Sequence, residues 1–301
     1  MSDILVSINR LYKIYGPNEQ NAPALLQQGA DPADLFTRYQ WSVALNDISL
    51  TIPRGEIFVI VGLSGSGKST LLRTVNRLIA PTSGDVYFEG TPMSALTEAE
   101  LIALRRHGMS MVFQSFALLP NRNVLDNAAF GLELAGVDVR SRHRQSLRVL
   151  EHVGLAQVAR KLPYQLSGGM QQRVGLARAL AVNPALLLMD EAFSALDPIN
   201  RREMQDLLLD LQARQRRTLI FVTHDIEEAL RIGNRIAIME QGKVIQVGTA
   251  EEIINAPANA YVRRFFSGID TSRYMLAESF AGAFNRADSE SDGRGSHDHA
   301  F

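Results

Sequence analysis

Cysteine is absent from the 301 residues, and tryptophan occurs once. Without a thiol the chain has no disulfide and no thiolate metal site, which is compatible with a reducing, cytosolic setting. No apolar run approaches the ~20 residues that a membrane-spanning helix needs. Met1-Ser2-Asp3 does not open a signal peptide. Neither sign of charge dominates: 31 Lys and Arg stand against 32 Asp and Glu, so no bulk field draws the chain to nucleic acid. The basic clusters Arg105-Arg106-His107, Arg140-Ser141-Arg142-His143-Arg144 and Arg216-Arg217 read as solvated helix faces or turns. No internal repeat is evident. What remains is an ordinary globular composition, 46% apolar and 21% charged, of a length that suits two domains or one large one.

Against that background one stretch stands out. Gly62-Leu63-Ser64-Gly65-Ser66-Gly67-Lys68-Ser69-Thr70 fits the phosphate-loop pattern G-x-x-x-x-G-K-[ST]. Ahead of it, Ile57-Phe58-Val59-Ile60-Val61 reads as a buried parallel strand. Behind it, Leu71, Leu72, Val75, Leu78 and Ile79 have the spacing of one buried helix face, stopped by Pro81. Glycines in such a loop let successive N–H groups point at phosphate oxygens, and the helix N-terminus adds a partial positive charge. Lys68 is then expected to reach the β- and γ-phosphates and the Ser69 hydroxyl to hold Mg²⁺. The chain is read as binding a nucleoside triphosphate.

A second apolar strand, Ala185-Leu186-Leu187-Leu188-Met189, ends in Asp190-Glu191. Asp190 is expected beside the metal, and Glu191 is expected to orient or deprotonate the attacking water. A glutamate carboxylate is a weak base, so positioning is expected to outweigh proton abstraction. Between the two strands, Leu166-Ser167-Gly168-Gly169-Met170-Gln171-Gln172-Arg173 opens a helix. Ser167 is its N-cap, Val174, Ala177, Leu180 and Ala181 form its apolar face, and Pro184 follows. Alone, this is an ordinary capped helix start.

Together the pieces are specific. The phosphate loop, LSGGMQQR, the run from Met189 to Asp197 (MDEAFSALD) and Val222-Thr223-His224-Asp225 follow in an order that resembles an ATP-binding-cassette (ABC) ATPase. The resemblance implies an α/β P-loop NTPase with an antiparallel β subdomain and an inserted helical subdomain, using ATP and Mg²⁺. It implies that Ser167, Gly168 and Gly169 clasp the γ-phosphate bound by the opposite copy of the chain. It gives His224 a contact to the γ-phosphate and gives Gln114, in Met111-Val112-Phe113-Gln114-Ser115, a contact to Mg²⁺ and a link to the helical lobe. Tyr15, before Gly16, becomes the aromatic that stacks on adenine, although Tyr12 is close by. Ser194-Ala195-Leu196-Asp197 becomes the loop that crosses the dimer interface. The expected catalytic groups are therefore Glu191, His224, Lys68 and Gln114, and the expected metal ligands Ser69, Gln114 and Asp190. The expected nucleotide contacts are Tyr15, Gly62, Ser64, Gly65, Ser66, Gly67, Lys68, Ser69 and Thr70, with Ser167, Gly168 and Gly169 serving the partner.

Along the chain, residues 1–270 are expected to form the cassette. Its core begins with a strand from Ile4 to Ile8, continues from Ser49 to about Met93, and resumes near Pro184. Asp85 to Glu89 alternates as a strand, residues 96–165 are expected to be the helical insertion, and Arg235 to Glu240 pairs with Lys243 to Val247 as a hairpin turning at Gln241-Gly242. Residues 271–301 form a tail, expected to be disordered from about 288, in which His297-Asp298-His299 reads as solvated rather than metal-binding. Residues 17–41 are an insertion relative to most cassettes, and Asp31-Pro32 within it is a good helix opening. This insertion, Met111 to Gly136 and Leu166 to Pro198 resemble the ATPase subunits of glycine betaine/proline betaine/choline importers, over about Ile4 to Asp270.

The resemblance implies a peripheral subunit on the cytoplasmic face of the inner (plasma) membrane. Its partners would be a second copy head to tail, permease subunits on separate chains and an extracytoplasmic substrate-binding protein, with no nucleic acid. Many members of that branch continue into a paired CBS module, whereas this chain ends at Phe301, so ionic-strength sensing is not expected. Histidine or another amino-acid-like cation stays open as cargo. A soluble cassette acting in translation or DNA metabolism is the alternative of another class. A non-hydrolysing regulatory cassette is disfavoured because Lys68, Glu191 and His224 are all present.

Overall fold

Strands that are apolar throughout and strands that alternate separate into two sheets. The computed structural model describes residues 3–267 and 269. It runs β1 (Ile4–Tyr15), α1 (Ala22–Gln27), α2 (Pro32–Tyr39), β2 (Ser42–Pro53), β3 (Ile57–Gly62), α3 (Lys68–Val75), β4 (Ser83–Phe88), β5 (Thr91–Pro92), α4 (Glu98–His107) and β6 (Met109–Val112). After these come α5 (Val124–Leu134), α6 (Val139–His152), α7 (Gly168–Ala181), β7 (Leu186–Asp190), α8 (Pro198–Gln215), β8 (Thr218–Thr223), α9 (Ile226–Ile232), β9 (Arg235–Glu240), β10 (Lys243–Gly248), α10 (Ala250–Asn255) and α11 (Ala260–Phe265). The antiparallel sheet has the order β2-β1-β4-β5, and the larger one β10-β9-β3-β8-β7-β6, parallel except for β10.

Every residue of β3, β7 and β8 is buried, as expected for strands covered on both faces. Phe58 and Ile60 of β3 pack with Leu71 and Leu72 of α3 and with Leu5, Ile8 and Leu45 from the antiparallel sheet. Ile57, Val59 and Val61 point the other way, among Leu180, Phe193, Leu208 and Phe221. A third core, with Val124, Ala128, Leu150, Val174 and Ala177, joins α5, α6 and α7.

This arrangement orders the loops that carry the chemistry. In the parallel sheet β8 lies between β3 and β7, with Val61 opposite Thr223 and Asp190 opposite Val222. The segments leaving the carboxyl ends of these three strands, at Gly62, His224 and Glu191, therefore emerge side by side.

The structure refines several expectations. The opening strand continues past Ile8 to Tyr15 across irregular pairings that let it curve. Helix α3 ends at Val75, because Asn76 caps it and Arg77 takes a left-handed φ of 57°. Leu78 is thereby excluded from the buried face and is 51% exposed. Within 96–165, Met109–Val112 is a strand of the parallel sheet rather than helix, so the helical cluster begins at Val124. The 17–41 segment has its own structure: Asp31 caps α2 by accepting from the Ala33 N–H, and Ala22, Leu35 and Trp41 close over Tyr12 and Ile14. The tail from 271 to 301 lies outside the described residues.

Candidate functional site

The phosphate loop is shaped by close backbone approaches. A Cβ on Gly62 would collide with the Met239 carbonyl and one on Gly67, at φ 98°, with the Ala44 carbonyl, whereas Gly65, at φ 80°, faces open space. Ser64 is exposed, and the buried Ser66 hydroxyl has no hydrogen-bond partner among the described residues. Lys68 is buried and donates to the carbonyls of Gly62 and Leu63, both at 2.9 Å. Burial pushes its pKa down from the ordinary lysine value, with Glu191 and Asp190 opposing the shift. Thr70 lies one turn ahead of Thr74, whose hydroxyl donates to its carbonyl.

The two motifs that are far apart in sequence meet here. Ser69 Oγ donates to Asp190 Oδ1 at 2.6 Å, and Arg73, one helical turn on, donates to Asp190 Oδ2 at 3.0 Å. Asp190 is only 3% exposed, so this charge-assisted pairing compensates its burial. One carboxylate and one hydroxyl are hard oxygen donors that suit Mg²⁺, an ion that keeps waters and takes other ligands from phosphates. Among the described residues no group of three or more His, Cys, Asp or Glu could hold a metal by itself.

Glu191 adopts a left-handed φ of 46°, and its N–H donates to the Val222 carbonyl at 3.0 Å. That bend turns the carboxylate toward the end of β8, where Oε2 lies 3.1 Å from His224 Nδ1. Ser194 Oγ donates to the Glu191 carbonyl at 2.8 Å and accepts from Gln114 Nε2 at 3.4 Å. Gln114 thus meets Ser194, and no hydrogen bond joins it to Ser69 or Asp190 among the described residues. Tyr15 ends β1 with 43% of its surface exposed and the Lys13 ammonium 4.9 Å from its ring centre, while Tyr12 is buried.

Ser167 caps α7 through the Met170 N–H at 3.3 Å and is exposed together with Gly168. The neighbours of Gly168 and Gly169 are Phe116 and Asn200, not the phosphate loop. Within one copy, then, Lys68, Ser69, Asp190, Glu191 and His224 form one site, and the helix start at Ser167 stands apart. Sequence reasoning missed Arg73 as a site residue and gave Ser194 only as part of the loop expected at the dimer interface. The spacing of Ser69 and Arg73, one turn apart on one helix face, is the signal that finds the first. The contacts of Ser194 to Glu191 and Gln114 have no signal in the sequence.

A phosphate loop on one strand, an acidic pair on another and a histidine on the strand between them define an ATPase of the cassette type. The chain belongs to the ABC transporter ATP-binding family: a family model described as ABC transporter matches residues 45–194. The glycine betaine/proline betaine transport system ATP-binding protein ProV of Escherichia coli is 54% identical over 278 residues, covering 92% of this chain and 70% of that protein. The glycine betaine/carnitine transport ATP-binding protein GbuA of Listeria monocytogenes is 51% identical, covering 91% and 69%. The trimethylamine N-oxide transport system ATP-binding protein TmoW of Ruegeria pomeroyi is 46% identical, covering 94% and 83%. Among solved structures, the dimeric bacterial ABC transporter cassette MJ0796 matches with a TM-score of 0.68 and 33% identity, over 81% of this chain and 98% of that one. The same cassette in a post-hydrolysis state bound to ADP and Pi matches equally well. The chain therefore binds and hydrolyses ATP.

Proposed function

We propose that this chain powers import of a quaternary-amine solute of the betaine type, acting as two copies bound head to tail beneath membrane permease subunits. The observation that carries the catalytic part is the convergence of the Gly62 loop, Asp190-Glu191 and His224 at three adjacent strand ends. Lys68 leaves the Gly62 and Leu63 carbonyls and donates to β- and γ-phosphate oxygens instead. Ser69 and Asp190 would hold Mg²⁺, with Gln114 as a further ligand, and the ion would neutralise charge on those oxygens. Glu191 orients the attacking water and accepts its proton, while His224 steadies Glu191 and contacts the γ-phosphate. Tyr15 stacks on adenine.

Ser167 and Gly168 are exposed at the isolated helix start while Gly169 is buried behind them, and an exposed helix terminus is where an anion binds. Head-to-tail pairing uses it: each copy places this helix start on the γ-phosphate held by the other. An apolar groove of about 460 Å³ lined by Leu78, Ile102, Phe113, Phe130 and Leu134 supports permease docking, with Arg105 on its wall. No helix among the described residues is long and apolar enough to cross a membrane, so attachment from the cytoplasmic side through that groove fits the chain. A substrate-binding protein outside the membrane would deliver the cargo.

The betaine and trimethylamine N-oxide names of relatives at 46–54% identity support the cargo class, since both are small, strongly polar methylated amines. A methionine import protein of Thermobifida fusca is 45% identical but covers only 78% of this chain. The test is uptake of radiolabelled glycine betaine, choline, trimethylamine N-oxide, histidine and methionine by cells lacking this gene, with and without its return on a plasmid. Restored betaine uptake is expected. Restoration of histidine or methionine uptake alone would overturn the cargo assignment.

A further inference from the structure

The segment 17–41 leaves β1 immediately after Tyr15 and returns to β2 at Ser42, and Tyr15 and Ser42 are the last cross-strand pair. A ladder end closed by so long a connection has nothing local to hold its register. Here the structure supplies a clamp. The Trp41 indole N–H donates to the Pro17 carbonyl at 2.7 Å, and the ring stacks on Tyr39 with centroids 4.5 Å apart. A Cβ on Gly16 would lie 2.7 Å from Trp41 Cδ1 and 2.8 Å from the Gln40 carbonyl, so only glycine admits the indole this closely. Trp41 itself is 6% exposed and seals the small core formed by Tyr12, Ile14, Ala22 and Leu35.

That core covers one face of β1. Tyr15 alternates with Ile14, so its ring projects from the opposite face, beside Lys13. The insertion thus holds the chain on either side of the base-facing ring, at Ile14 before it and at Gly16 and Pro17 after it.

We infer that Trp41 is a positioning residue for the nucleobase, fixing the strand end that presents Tyr15. This rests on the reading of Tyr15 as the adenine platform. A platform with one free face gains from being held, because an ordered ring costs less entropy when the base arrives. Trp41 is also the chain's only tryptophan, so its fluorescence reports on the site without a label.

The test uses the full chain and four versions: wild type, Trp41→Phe, Tyr15→Leu and the double variant. Trp41→Phe keeps an aromatic ring on Tyr39 and loses the indole donor together with the five-membered ring that packs on Gly16. Binding of ATP and of tripolyphosphate, which has phosphates and no base, is measured with turnover at saturating ATP. Trp41→Phe is expected to weaken ATP binding three- to tenfold, leave tripolyphosphate binding within twofold, and leave saturated turnover within twofold. The double variant should bind ATP no more weakly than Tyr15→Leu. ATP should alter Trp41 emission in wild type but not in Tyr15→Leu.

Equal weakening of ATP and tripolyphosphate in Trp41→Phe would show general damage and overturn the inference. So would losses that add in the double variant. Normal ATP binding by Trp41→Phe beside weakened binding by Tyr15→Leu would overturn the positioning role and leave the adenine platform standing. Normal binding by Tyr15→Leu would overturn both.

Discussion

Changing Glu191 to Gln removes a negative charge and the proton acceptor while keeping the side-chain length. The rest of the nucleotide site stays in place: Lys68, Ser69 and Asp190 make no hydrogen bond to Glu191, and the left-handed bend is fixed by the backbone bond to Val222. The His224 contact at 3.1 Å also survives, since an amide can donate to or accept from the ring nitrogen. What disappears is the group facing the attacking water. Loss of a positioned general base typically costs 10²–10⁴-fold in rate, or about 3–5 kcal/mol at ~1.36 kcal/mol per decade. Glu191→Gln should therefore bind ATP within a fewfold of wild type and hydrolyse it about 10²–10⁴ times more slowly, accumulating dimers with trapped ATP. Single-turnover hydrolysis of γ-labelled ATP, with binding measured separately, gives both values. Hydrolysis within tenfold of wild type would refute the role assigned to Glu191, and loss of binding would show that it holds nucleotide rather than water.

Other outcomes rest on the same geometry. Lys68→Ala removes the buried cation of the phosphate loop and should abolish measurable ATP binding, whereas retained binding would move the phosphates elsewhere. Leu35→Ala opens the small core under Trp41, and such truncations cost about 2–5 kcal/mol. Urea unfolding followed at Trp41 should show that loss, and an unchanged midpoint would mean that Leu35 does not support the core. Burial pushes the Glu228 carboxyl pKa up, with hydrogen bonds from Thr223 and Gln205 opposing. A raised folded-state pKa makes the stabilisation from the protonated acid complete below the unfolded value of about 4.3, and lost as pH rises through the folded value. Glu228→Gln mimics the protonated form, so its melting temperature should gain on wild type as pH rises from about 5 to about 8; a constant difference would contradict this.

Much of the site is legible in the chain because burial on both faces leaves unbroken apolar runs. Ile57–Val61 and Leu186–Met189 can be read as strands directly, and each runs into a short, chemically distinctive segment, the glycine loop at Gly62 and the acidic pair Asp190-Glu191. The cap at Asp31-Pro32 and the turn at Gln241-Gly242 are equally local. Strand order is not local. That β8 lies between β3 and β7, and so sets His224 against Glu191, depends on pairing between segments more than thirty residues apart in each case. β6 escaped because four residues with a serine among them, Met109 to Val112, are too short for periodicity to separate strand from helix. The end of α3 escaped because the left-handed turn at Arg77 falls on a residue type with no such preference. Trp41 escaped too, since its partners at Pro17 and Gly16 lie across a folded insertion.

In the proposed head-to-tail dimer, each ATP is held between the phosphate loop of one copy and the Ser167 helix start of the other. The absence of cysteine lets this be tested directly, because any introduced pair reacts alone. In Glu191→Gln chains carrying both Ser64→Cys and Ser167→Cys, a short bismaleimide is added with and without Mg·ATP. A covalent dimer that forms only with ATP is expected on denaturing gels. Cross-linking within a single chain, or dimer formation indifferent to ATP, would contradict it.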